Sequence, residues 1–134
     1  MSTSTITRVA DVMTSKVETI DCMATVDQAI VQMRDSGVSS IIVKPKNEDD
    51  EYGMIVVSDV ARHVIARDRA ASRVNIYEIM AKPVLTVPTD MNIKYAIRLL
   101  VQFSLSRALV VDDNRQPTGI ITLRDMVLRH AQDD

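Results

Sequence analysis

The decisive stretch of this sequence is GMIVVSDV at residues 53–60, and 66 positions later it recurs as GIITLRDM at residues 119–126. Each copy begins with a glycine, continues as a short apolar run and reaches an aspartate. Short runs rich in β-branched residues are typical of buried strands, and polar residues that follow at capping distance are typical of helix starts. We therefore expect a strand that leads directly into a helix, twice in the chain.

Upstream of these stretches the chain also repeats, at an offset of 67 residues. The matched pairs include Met13 with Met80, Val17 with Val84, Thr19 with Thr86, Ala29 with Ala96, and Ser39 with Ser106. A repeat this small cannot close a sizeable core alone. We expect the two copies to pack on each other, with any ligand between them.

Each copy follows the order β-α-β-β-α. In the first copy we expect strands at 17–20, 40–43 and 53–57, helices at 25–37 and 58–68, and an acidic hairpin loop at 45–51. In the second copy we expect helices at 92–103 and 122–130, strands at 108–111 and 119–123, and a turn at 112–115. The predicted fold class is α/β (α+β), with two pseudo-symmetric repeats packed sheet to sheet. The repeats span 8–66 and 76–131, and a charged linker without apolar periodicity occupies 67–75.

Composition narrows the classes of function. The chain has 134 residues, of which 46% are hydrophobic and 25% charged, and this balance is that of one globular domain. A net charge of -2 without a basic block argues against a nucleic-acid partner. No apolar run approaches the about 20 residues of a membrane-spanning helix, so membrane insertion is not expected.

Residues 1–7 lack the positive and apolar regions of a signal peptide, so we do not expect one there. The single cysteine, Cys22, cannot form an internal disulfide, which indicates a cytoplasmic protein. His63 and His130 are far apart in sequence, so we expect no metal site. Neither histidine has a nearby catalytic partner, and Cys22 lacks the cationic neighbours that activate a thiol. We therefore do not expect an enzyme.

The ordered set of motifs resembles a known family. It comprises DVM at 11–13, GVSSIIV at 37–43 and GMIVVSDV at 53–60, then IM at 79–80, SRALVVD at 106–112 and GIITLRDM at 119–126. Together these motifs, over roughly residues 8–131, are similar to a tandem pair of cystathionine-β-synthase (CBS) domains, or Bateman module. The resemblance implies a regulatory unit that binds adenosine-containing ligands in clefts between the repeats.

The resemblance also implies roles for residues of the second copy. The Thr122 hydroxyl would contact phosphate, and the Asp125 carboxylate would accept hydrogen bonds from the ribose hydroxyls, which suits an acceptor-only group. Arg107 would face phosphate, for which a planar guanidinium is well suited. Gly119 would leave room for the base, and backbone groups around Ile120 could read its edge. The alternative is a helix cap, because Thr122-x-x-Asp125 also has the spacing of a capping box.

Two binding sites follow from the resemblance. The main site would comprise Met13, Thr14, Lys16, Val17, Ser39, Ser40, Ser106, Arg107, Gly119, Ile120, Ile121, Thr122 and Asp125. The second site would comprise Gly53, Met54, Ile55, Asp59, Met80, Lys82, Pro83 and Val84. In the first copy, Val56 stands at the position of Thr122 and Ser40 at that of Arg107. We therefore expect the second site to bind phosphate-bearing ligands more weakly, to take a ligand without phosphate at that point, or to be empty.

The expected function is a stand-alone regulatory module that binds AMP, ADP, ATP or S-adenosylmethionine, requires no cofactor and signals to an effector protein in trans. The alternative is a ligand-free dimerisation or scaffold module of the same fold. Apolar residues on the helices exceed what one small core can hold, which favours a homodimer. These residues are Val31, Val64, Ile65, Val101, Val127 and Leu128.

Overall fold

The computed structural model describes residues 6–133, so residues 1–5 of the polar N-terminal segment lie outside the described part. The helices are α1 (Val9–Val12), α2 (Val26–Ser36), α3 (Val57–His63), α4 (Ile93–Gln102) and α5 (Leu123–Asp133). The strands are β1 (Thr19–Ile20), β2 (Ser40–Val43), β3 (Gly53–Val56), β4 (Thr86–Pro88), β5 (Arg107–Val111) and β6 (Pro117–Thr122). Short 3-10 turns occupy Ile65–Arg67, Ala71–Arg73 and Ile76–Glu78.

The strands form two sheets of identical topology. In each sheet the first strand runs parallel to the second, and the second pairs antiparallel with the third, in the orders β1-β2-β3 and β4-β5-β6. A helix connects each parallel pair, since α2 joins β1 to β2 and α4 joins β4 to β5. The predicted mixed α and β fold with two β-α-β-β-α repeats is therefore confirmed.

The compact units of the structure differ from the repeats of the sequence. The continuous unit is Glu18–Val84, and the discontinuous unit combines the described parts of Met1–Val17 and Leu85–Asp134. Each repeat thus contributes its leading segment, the residues before its first strand, to the unit that contains the other repeat's sheet. The division into 8–66, 67–75 and 76–131 remains a description of the sequence.

The core of the continuous unit lies between its sheet and helices α2 and α3. Strands β2 and β3 contribute Ile41, Val43 and Ile55, and α2 contributes Val26, Ala29 and Met33. Helix α2 begins and ends where the sequence predicts, because Thr25 caps it and Gly37 ends it with a left-handed φ of 68°. That conformation is one glycine adopts without steric cost.

The segment after α3 differs from the expected helix at 58–68. Helix α3 ends at His63, and Val64 follows with φ -121° and ψ -65° and a fully buried side chain. Val64 is therefore part of the core, and the expectation that it belongs to an exposed apolar surplus is wrong. The linker is also packed, since Val74 is 2% exposed and its carbonyl accepts the Val26 N–H.

The core of the discontinuous unit has the same construction. Ile93, Ala96 and Leu100 of α4 pack against β5 and β6, together with Met126 of α5. The leading segment contributes to each core, since Val9 of α1 has no exposed surface here and Ile76 is fully buried at the equivalent position of the continuous unit. Among the described residues, no helix has the length and apolarity needed to cross a membrane.

Candidate functional site

The leading segment of the first repeat lies along strand β6 of the discontinuous unit. Thr14 and Ile120 exchange two backbone hydrogen bonds of 2.9 Å each, so Thr14 extends the sheet at its β6 edge. A Cβ atom at Gly119 would lie 2.6 Å from Met13 Sδ and 2.7 Å from the Thr14 carbonyl oxygen. Gly119 is therefore required for the close approach of this segment.

This pairing limits which backbone groups of Ile120 could contact a ligand. The Ile120 N–H donates to Thr14 and the Thr14 N–H donates to Ile120, so the amide of Ile120 is already used within the protein. A base edge could not accept from the Ile120 N–H, whereas the Ile120 carbonyl oxygen has a second lone pair that can accept a hydrogen bond. At Ile121 only the backbone is available to a ligand, because the side chain is 1% exposed and lies in the core.

Strand β6 leads directly into α5, and Thr122 caps this helix. The Asp125 N–H donates to Thr122 Oγ1 over 3.1 Å, as the capping interpretation predicts. A hydroxyl that accepts one hydrogen bond still has a proton to donate. Capping therefore leaves Thr122 able to donate to an anion.

Arg107 lies directly opposite Thr122 in the antiparallel pair of β5 and β6. Side chains of directly opposed residues lie on the same face of a sheet, with their Cβ atoms about 5 Å apart. Both residues line a depression of about 600 Å³, and its wall is completed by Ser106, Leu123, Arg124, Val127 and Leu128. Asp125 does not line it, but its carboxylate pairs with Arg124 Nη1 at 3.3 Å.

The other residues of the expected main site are divided between the units. Lys16 and Val17 end the leading segment in the discontinuous unit, where Lys16 is exposed. Ser39 and Ser40 belong to the continuous unit. There the Ser39 carbonyl accepts the Val57 N–H over 3.1 Å, and Ser40, 9% exposed, pairs with Val56.

The continuous unit repeats the edge arrangement with the leading segment of the second repeat. Met54 and Ala81 exchange two backbone hydrogen bonds of 2.9 Å. A Cβ atom at Gly53 would lie 2.9 Å from Met80 Sδ, so methionine covers the glycine here as well. Ile55 is completely buried in the core and offers only its backbone.

The start of α3 has no hydroxyl at the capping position. Val56 occupies it, and its N–H donates to Asp59 Oδ2 over 3.0 Å. One carboxylate oxygen of Asp59 is therefore engaged in holding the helix start. Asp125 and Asp59 occupy equivalent positions but have different partners.

An ion pair that the sequence analysis missed fixes the leading segment in the continuous unit. Lys82 Nζ lies 2.5 Å from Asp50 Oδ1, and the two side chains are 27% and 19% exposed. The hydrogen bond from the Lys46 backbone N–H, followed by that from the Lys82 side chain, lowers the pKa of Asp50 to about 2. Beside this pair, a cis peptide bond joins Lys82 to Pro83, and the Val84 N–H donates to the Tyr52 carbonyl.

The described residues, 6–133, contain no group of three or more His, Cys, Asp or Glu side chains placed to hold a metal ion. Cys22 is a free thiol that is buried in the core of the continuous unit.

The sequence matches the model of a known protein family and resembles known proteins. The model of the CBS domain matches residues 9–66 and 76–130. The uncharacterized protein MK0525 of Methanopyrus kandleri is 34% identical over 97 residues, which are 72% of this chain and 48% of that protein. The chain thus spans about half the length of that relative.

Two solved structures share the fold. A hexameric CBS-CP12 protein from bloom-forming cyanobacteria has 31% sequence identity and a TM-score of 0.87, with coverage of 92% of this chain and 71% of that one. The CBS domain pair of protein MJ0100, solved with 5′-methylthioadenosine and S-adenosyl-L-methionine, has 22% identity and a TM-score of 0.80, with coverage of 97% and 100%. Since the family model matches most of the chain twice, this protein belongs to the CBS domain family and contains two CBS domains.

Proposed function

We propose that this protein is a regulatory module that binds an adenosine phosphate, AMP, ADP or ATP, at the discontinuous unit. The observation that carries the proposal is the pairing of Arg107 with Thr122, which places a guanidinium and a hydroxyl side by side on one depression. Both groups donate to phosphate oxygens. Asp125, the third residue of α5, lies outside the depression, and its partly exposed carboxylate would supply the acceptor that a ribose diol requires.

The remaining residues of the main site have supporting roles in this proposal. Met13 and Thr14 form the wall beside Gly119, Ser106 adjoins Arg107, and Lys16 adds a cation at the end of the leading segment. S-adenosylmethionine is a second candidate ligand, since the related CBS pair of MJ0100 was solved with it. The proposed output of ligand binding is regulatory rather than catalytic.

The regulatory output in this proposal is a change in protein geometry that an effector protein in trans recognises, in the cytoplasm. A ligand shifts a conformational equilibrium only as far as it binds one state more tightly than the other. The matching positions in the continuous unit, with Val56 and Ser40, would form a second and weaker site.

Thermal unfolding of protein freed from bound metabolites tests the proposed ligand. We expect AMP, ADP or ATP to raise the melting temperature, because a ligand at a hundred times its Kd adds about 2.7 kcal/mol to stability. GMP provides the control, as it has the same phosphate on another base. If no adenosine compound raises the melting temperature, the ligand-free scaffold function replaces this proposal.

We further propose that the protein is a homodimer formed through its helices. On α4 and α5, Val101, Val127 and Leu128 are 62%, 48% and 49% exposed, and in the continuous unit Val31 and Ile65 are 44% and 60% exposed. Exposed apolar side chains on helices favour association, and two-fold dimers are its commonest form.

Light scattering measures this assembly directly. We expect a mass near twice the 14.9 kDa of one chain, and we expect Val101→Asp on α4, outside the depression, to shift it towards the monomer. Met23→Asp is the matched control, because Met23 is 61% exposed but lies outside the helices. A wild-type mass of 14.9 kDa at micromolar concentration would contradict the proposal.

A further inference from the structure

A groove outside the proposed nucleotide site lies between helices α2 and α3 of the continuous unit. Its volume is about 400 Å³, and its lining is apolar except for Arg34. Val57, Ala61 and Ile65 of this lining are exposed to solvent. An exposed apolar surface of this kind, with a charged residue in its lining, is typical of a protein interaction site.

The equivalent helix face of the discontinuous unit is bulkier. At the repeat offsets of 67 and 66, Arg34 corresponds to Val101 and Ala61 corresponds to Val127. Both valines are exposed, and the helices that carry them, α4 and α5, contact each other. Val127 also lines the depression, so this face adjoins the proposed nucleotide site. The discontinuous unit thus presents exposed apolar side chains at positions that belong to the groove in the continuous unit.

The two helix pairs also differ in charge. Helices α2 and α3 carry three aspartates and two arginines, whereas α4 and α5 carry four cations and two aspartates. The four cations are Lys94, Arg98, Arg124 and Arg129. Surfaces of opposite net charge attract each other, and two surfaces of the same net charge repel. The α4–α5 face is therefore better matched to the α2–α3 face than to a copy of itself.

We infer that the groove of the continuous unit receives the α4–α5 face of a second copy of this chain, with Val101 and Val127 packed against Ala61 and Val57. The inference rests on the homodimer of the proposed function and assigns its interface. Two grooves face to face would leave unfilled space and lose packing contacts, and two α4–α5 faces would bring like charges together. Two contacts related by a two-fold axis close the dimer.

Cross-linking through introduced cysteines tests this pairing, because the native Cys22 is buried. A short bis-maleimide joins two exposed thiols that lie close together. We expect no covalent dimer from Ala61→Cys alone or from Val101→Cys alone, since each thiol would face the other unit of the second copy. A mixture of the two variants, after exchange of partners, should give a covalent dimer. Met23→Cys is the matched control, because Met23 is exposed but lies outside the helices, and it should not cross-link to either variant.

A charge reversal at the groove tests the pairing by the sign of its effect. Arg34→Glu makes the α2–α3 face more acidic, so we expect the Kd of the dimer, measured by sedimentation over a dilution series, to fall about threefold or more. If two continuous units paired with each other, the same change would raise the Kd. The ion pair of Arg34 with Asp35 is solvent-exposed, so its loss should change stability little. Arg73→Glu makes the same change of charge at an exposed position outside α1–α5 and should leave the Kd unchanged.

The outcomes separate this inference from the proposed function. If the wild type is a dimer and either cysteine variant cross-links alone, or the mixture does not cross-link, the inference is overturned while the proposed homodimer stands. A rise in Kd for Arg34→Glu, or a fall no larger than that for Arg73→Glu, also overturns it. If light scattering shows a monomeric wild type, the proposed homodimer fails and the inference fails with it.

Discussion

Replacing Asp125 with alanine should abolish the thermal stabilisation that AMP, ADP or ATP gives, while the unliganded protein remains folded. In the proposed site this carboxylate accepts two hydrogen bonds from the ribose. Each hydrogen bond to a charged group contributes about 1.5–3 kcal/mol, so losing both weakens binding by about a hundredfold or more. The ion pair of Asp125 with Arg124 is solvent-exposed, and its loss should cost less than about 1 kcal/mol of stability.

Melting curves with and without nucleotide measure the effect, and circular dichroism checks the fold. Asp113→Ala is the matched control, since it removes the same charge from an exposed turn of the same unit. Thr122→Val should weaken AMP more than adenosine, because only AMP loses the proposed phosphate contact. If Asp125→Ala binds nucleotide as tightly as the wild type, the assignment of the site is wrong.

The sequence was sufficient to predict the elements that local chemistry determines. Thr25 and Gln28 form the expected capping box of α2, and Gly37 ends that helix in the left-handed conformation. Asn92 caps α4 through the Lys94 N–H, one residue before the helix begins. Such signals act over a few residues and are therefore visible in a single sequence. Because the sequence repeats, the same topology was predicted for both copies.

Contacts between residues that are far apart in the chain could not be predicted from the sequence. The sequence does not show that Thr14 occupies the amide of Ile120, because the partners are more than 100 positions apart. The Lys82–Asp50 pair follows only once the leading segment is known to lie against the hairpin loop. Val64 was counted among the apolar helix residues that exceed one small core, but α3 ends at His63 and the Val64 side chain is fully buried. In each case tertiary packing overrode the local pattern.

A second large effect concerns Gly119, where a single methyl group should disrupt the edge of the sheet. In Gly119→Ala the new Cβ atom would meet the Thr14 carbonyl oxygen at 2.7 Å and Met13 Sδ at 2.6 Å. Met13 can change rotamer, but the backbone of Thr14 is fixed by its two hydrogen bonds to Ile120. Overpacking of this kind typically costs 1–3 kcal/mol, and we expect a loss of about 3 kcal/mol in the free energy of unfolding because backbone must move.

Chemical denaturation of three alanine variants separates this clash from a general effect of replacing glycine. At Gly53 the closest backbone atom, the Ala81 carbonyl oxygen, lies at 3.2 Å, so Gly53→Ala should cost about 1 kcal/mol. At Gly37 nothing lies within 4 Å, and the expected loss of about 1 kcal/mol comes from the left-handed backbone alone. If Gly119→Ala unfolds at the same denaturant concentration as Gly53→Ala, the leading segment of the first repeat is not packed tightly against β6. That result would also contradict the pairing of Thr14 with Ile120, on which the proposed wall of the nucleotide site depends.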